Sequence, residues 1–114
     1  MLGVVKIKVV VYIKMKNTED LNDLEIISNN LEFRSCNYKI LTPVKDVNYK
    51  IIIVKETFFI LEVLLTLDVS KSYYNKISNL ELLKPDILIT ANGLSLDWDI
   101  VKIENNLYWY KLFK

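Results

Sequence analysis

The sequence predicts an α+β fold: a mainly antiparallel sheet in the order β-α-β-β-β-α-β-β-β, as a single layer or a two-layer sandwich with helices on one face. Three observations lead there. The first sixteen residues alternate apolar and polar; two short stretches carry helix-cap residues; and an Asn-Gly pair lies between two alternating runs.

The opening strand shows the clearest pattern. Val5, Ile7, Val9, Val11, Ile13 and Met15 share one parity, and Lys6, Lys8, Val10, Tyr12, Lys14 and Lys16 the other. A period of two puts one set on the core and the other toward water. Asn17-Thr18 can cap a helix, and Glu19 and Asp20 suit its positive end. Leu21, Leu24, Ile27 and Leu31 then follow helical spacing, which predicts a helix from about 18 to 30. From Leu31 to Thr42 the apolar parity switches, predicting one bulged strand or two short ones before Pro43.

VNYKIIIVKETFFILEVLLTL reads as a hairpin turning near Glu56-Thr57. Its arms are almost continuously apolar, which predicts that both faces are covered. Ser70 caps a second helix to about Ser78. Asn92-Gly93 is the strongest hairpin signal, because both turn residues need positive φ. A two-residue loop there sets Ala91 against Leu94, Thr90 against Ser95, Ile89 against Leu96, Leu88 against Asp97, Ile87 against Trp98 and Asp86 against Asp99. Asn105-Asn106 predicts one more turn, which would face Val101 with Tyr110, Lys102 with Trp109 and Ile103 with Tyr108.

Composition narrows function by exclusion. The chain has 114 residues, expected to form a single domain (1–114), and a net charge of +1, so no bulk attraction to nucleic acid or anionic lipid follows. Lysine outnumbers arginine fourteen to one, with Arg34 alone. A nucleic-acid reader ordinarily uses arginine's planar fork. There is no histidine, which removes Ser-His-Asp and Cys-His catalysis and histidine zinc sites. Cys36 is the lone cysteine, so no disulfide framework exists and a reducing cytoplasm is the expected setting. Lys6, Lys8 and Lys14 interrupt the apolar N-terminus well short of the ~18 residues of a membrane span.

Three candidate chemistries remain. Asp97 and Asp99 share a sheet face with Val101, Ile103, Tyr108 and Tyr110, acidic at one end and aromatic at the other. The C-terminal sheet bearing Asp97, Asp99, Tyr108, Trp109 and Tyr110 is suited to a protein partner. Asp86, Asp97 and Asp99 could instead hold Mg²⁺ or Mn²⁺ for a metal-dependent phosphodiesterase or nuclease. PDILI with DIVK resembles the PD-(D/E)xK nuclease arrangement, although Asp99 stands three residues before Lys102 and so on the other face of a regular strand. Lys6, Lys8, Lys14 and Lys16 could follow a phosphate backbone, or simply guard a solvated strand.

Trp98, Asp99, Ile100, Leu107 and Tyr108 close the chain in a Trp…Asp-Ile…Leu-Tyr pattern after the first hairpin. In this, residues 47–110 resemble a small bacterial α+β domain family of unknown function, which implies a hairpin, a short helical connection and a closing hairpin, and no activity. The expectation from the whole sequence is a non-enzymatic, cofactor-free protein-binding module, monomeric or homodimeric. A viral or mobile-element accessory protein inhibiting a host protein is one form of it.

Overall fold

A computed structural model describes residues 2–15, 21–83, 85–104 and 109–111. Eleven strands and one helix appear among them: β1 (Leu2–Lys14), β2 (Leu24–Ile27), β3 (Asn30–Arg34), β4 (Lys39–Pro43), β5 (Asp46–Val54), β6 (Phe58–Ser70), α1 (Lys71–Ile77), β7 (Glu81–Leu82), β8 (Leu88–Ala91), β9 (Leu94–Ser95), β10 (Trp98–Glu104) and β11 (Trp109–Lys111). The α+β expectation is therefore overturned. Three antiparallel sheets make up the described fold, and the one helix is a seven-residue connection, not a layer over a sheet face.

The principal sheet runs β10-β1-β6-β5, with β11 also pairing β1. Its centre is the thirteen-residue antiparallel pair of β1 and β6, in register from Leu2 opposite Ser70 to Lys14 opposite Phe58. The predicted alternation is realised: Val5, Ile7, Val9, Val11 and Ile13 are wholly buried, as are Phe59, Leu61, Val63, Leu65 and Leu67 across from them. That inner face meets Leu31 and Phe33 of sheet β4-β3-β7, Ile89 of sheet β2-β8-β9, and Ile77 of α1. Burying a Leu, Ile, Val or Phe side chain stabilises by about 1.5–3 kcal/mol each, so this one core carries the fold.

The helix predicted over 18–30 does not form where the chain is described; residues 18–20 lie outside the described residues. Leu24–Ile27 is a strand, with Leu24 and Ile26 half-buried and Glu25 and Ile27 exposed. Asp23 turns into it at φ 50°, and Leu31 belongs to the next strand beside Phe33. The second predicted helix is present as α1, with Ser70 Oγ accepting from Tyr73 N–H at 3.1 Å. Of the two readings for 31–42, two short strands is the observed one, since β3 and β4 pair from Asn30–Pro43 to Arg34–Lys39.

The hairpin at Glu56-Thr57 forms, with Lys55 N–H donating to Phe58 O at 2.8 Å. Its arms differ, however. Along β6, buried and half-buried residues alternate, whereas Asn48–Val54 of β5 are all exposed. Coverage of both faces is thus corrected for β5, which ends the sheet as an edge strand.

Candidate functional site

The predicted Asn-Gly turn is in place. Asn92 and Gly93 have φ of 53° and 79°, and pair Ala91 with Leu94 and Thr90 with Ser95. Leu96 N–H donates to Ile89 O at 2.8 Å, which carries the register one pair further. Beyond it the ladder gives way to a side-chain tie, Trp98 Nε1 donating to Ile87 O at 3.0 Å. From Trp98 onward the chain pairs with β1, so the partner of Asp99 is Tyr12 rather than Asp86. Asp86, Asp97 and Asp99 still line one open depression, together with Pro85 and Trp98. Among the described residues, however, no three His, Cys, Asp or Glu side chains are grouped to hold a metal ion.

The second predicted turn, Asn105-Asn106, lies outside the described residues, as does Tyr108. The pairings predicted from it for Trp109 and Tyr110 do not occur, and that for Tyr108 lies outside the described residues. Trp109 is opposite Val5 and Tyr110 opposite Val4, so β11 follows β10 along the same edge of β1 rather than folding back on it. Asp99 and Trp109 therefore face β1 positions seven residues apart, Tyr12 and Val5. That is about 23 Å at strand rise. Asp99 and the Trp109-Tyr110 pair are thus spread along one sheet edge.

Between them β10 carries a bulge. Lys102 pairs with Val10 and Ile100 with Val11, leaving Val101 as the extra residue. The bulge reverses the parity argument made for the nuclease-like spacing, because Asp99 and Lys102 now lie on the same, outer face of the sheet. Lys102 is engaged there. It stands 3.5 Å from Glu104, which is 3.8 Å from Lys8; Lys8 is 3.7 Å from Glu62, and Glu62 is 3.7 Å from Lys50. Five alternating charges thus cross β10, β1, β6 and β5. Lys8 sits between two carboxylates, which breaks up the cationic stripe that Lys6 and Lys14 would otherwise form with it; Lys16 lies outside the described residues. Next to this ladder the Tyr12 and Phe58 rings stack at 4.9 Å.

Sequence reasoning missed the edge of β5, along which no further strand pairs among the described residues. Tyr49, Ile51, Ile52, Ile53 and Val54 are each between 39% and 50% exposed. Two backbone bonds fix which groups face outward. Lys55 N–H bonds Phe58 O and Lys45 N–H bonds Thr66 O, so Asp46, Asn48 and Lys50 turn their backbone groups toward β6. Val47, Tyr49 and Ile51 turn theirs away. Ile52 is a bulge residue, skipped between Ile51–Leu61 and Ile53–Ile60. The Tyr49 hydroxyl donates to Leu24 O at 3.4 Å, which ties the middle of the strand to β2. The signal in the sequence was the run of Asn48, Lys50 and Lys55 through the apolar stretch, which suits an edge better than a covered strand.

No family model, curated protein or solved structure matches the chain.

Proposed function

We propose that this chain is a non-enzymatic protein-binding module that takes an extended polypeptide segment onto this edge of β5. The observation that carries this reading is the contiguous exposed run Tyr49–Val54 on an edge strand. An added strand would satisfy the outward backbone groups of Tyr49 and Ile51 and the Val47 carbonyl, while its side chains cover the exposed isoleucines. It would also take over the Val47 N–H from Asp46 Oδ1, which now accepts it at 3.0 Å. The reading places this work in the cytoplasm, where an exposed, unpaired thiol such as Cys36 stays reduced. An accessory protein that inhibits a host protein is one role such an edge fits.

No helix among the described residues is long and apolar enough to cross a membrane. The depression holding Asp86, Asp97 and Asp99 is a weaker candidate, because its carboxylates do not gather on one point.

The test is paired capture. Wild-type protein and the edge variant Ile51→Lys/Ile53→Lys are used as baits, with Val101→Lys as an exposed apolar control on β10. Any genuine partner is expected to be lost with the edge variant and kept by the control. It should also slow amide hydrogen exchange across residues 47–54. A partner retained by the edge variant, or one that protects only β10, would refute the assignment.

A further inference from the structure

The same edge is suited to one strand in particular, its own. This inference rests on the strand-addition reading and names the occupant. Asp46 and Lys50 lie on the outer face of the sheet, two residues to either side of Asn48. An antiparallel copy of β5 set about a two-fold axis at Asn48 brings Asp46 of each chain opposite Lys50 of the other. Charge complementarity is met twice by a single operator. A register centred on Lys50 would instead set two ammonium groups face to face, which is destabilising.

Backbone geometry agrees with the same centre. In the single chain the Val47 N–H donates to Asp46 Oδ1 at 3.0 Å and Asn48 Nδ2 to Asp46 Oδ2 at 3.4 Å. On pairing, Val47 and Tyr49 would exchange both backbone hydrogen bonds with Tyr49 and Val47 of the second copy, which releases the Asp46 carboxylate from the Val47 N–H to meet Lys50. Asn48, whose own groups turn to β6, would then form a non-hydrogen-bonded pair with its counterpart, and Asp46 another with Lys50. In such pairs the side chains stand closest, so the Lys50 ammonium, already 3.7 Å from Glu62, gains a second carboxylate. On the inner face Val47 would meet Tyr49 across the seam. Each exposed Ile51–Ile53 segment would overlie the Val44–Lys45 entry into the partner's β5.

We infer that two copies of this chain pair antiparallel through β5, centred on Asn48, and join their principal sheets into one. Disulfide trapping tests the register. In a Cys36→Ser background, Asn48→Cys places two sulfurs across a pair whose Cα atoms lie about 4.5 Å apart, within disulfide reach. Mild oxidation is expected to convert most of it to a band at twice 13.4 kDa, while Tyr49→Cys and Lys50→Cys stay monomeric. In sedimentation equilibrium the native chain is expected to dimerise. Asp46→Lys should weaken association about tenfold, and the swap Asp46→Lys/Lys50→Asp should restore it. Cross-linking at position 49 or 50 instead of 48, a charge swap without rescue, or a monomer up to 100 micromolar (roughly the upper range for a specific weak dimer) would overturn the inference. A monomer whose edge variant still loses a captured partner would overturn only this inference and leave the strand-addition reading in force.

Discussion

Replacing Gly93 by alanine isolates the turn that orients the Trp98 end of the fold. Gly93 stands at φ 79°, and a Cβ built on it meets no atom within 4 Å. Sterics with the rest of the protein therefore contribute nothing, and the cost is torsional. A left-handed conformation costs an L-residue about 1–2 kcal/mol. The stiffer unfolded chain of the alanine variant returns about 0.4–1 kcal/mol of that. The expected net loss is about 1 kcal/mol. With a urea slope of about 2 kcal/mol/M, the unfolding midpoint should fall by roughly 0.5 M with the slope unchanged. A Gly93→Ala midpoint equal to wild type would mean that the turn is not left-handed in solution. A loss above about 3 kcal/mol would mean that the space beside Gly93 is occupied, and either result refutes the reasoning.

Two further outcomes are expected. Ser70→Ala removes the acceptor for Tyr73 N–H and should cost about 1 kcal/mol, read as a Tm lower by roughly 4 °C, whereas Ser70→Asp, which keeps an acceptor, should stay close to wild type. Millimolar Mg²⁺ or Mn²⁺ should shift the melting of wild type and Asp99→Asn equally, because the three aspartates do not converge; a rise seen only in wild type would reinstate a carboxylate metal site.

Patterns that depend on a residue's immediate neighbours were legible in the chain. The alternation of β1 gave its buried face residue by residue, and Asn92-Gly93 gave its register, because a two-residue loop leaves no freedom. The region 21–31 was misleading because Leu21, Leu24, Ile27 and Leu31 fit a helical stripe. In the fold those positions are shared among a 3₁₀ turn and two strands, and Ile27 points to solvent. The alternation of Leu24 and Ile26 was present but too short to outweigh the longer period. The candidate site was legible only as parts. Asp97 and Asp99 do reach the surface beside Trp98, yet their relation to Trp109 depends on which strand takes the last segment, and that is decided by β1 from the far end of the chain. The exposure of β5 is in part of the same kind, since Asn48 and Lys50 hint at an edge without saying which. Nothing within Asp46–Val54 says that β1, rather than another strand, will claim the other side of β6.

That long-range claim on β6 also sets an order in time. The β5–β6 hairpin closes over two residues, whereas Lys14 can meet Phe58 only after the whole of 15–57 has been looped out. Loop closure of that length precedes any reward from the core, which places refolding in the slow, millisecond-to-second class of non-local β proteins. Until residue 70 has been synthesised, β1 lacks part of its partner, and its row of valines and isoleucines is open to other chains. Lysines at 6, 8 and 14 keep three outward positions of that waiting strand charged, on either side of Val10 and Tyr12. Their contribution belongs to the nascent chain at least as much as to the finished surface.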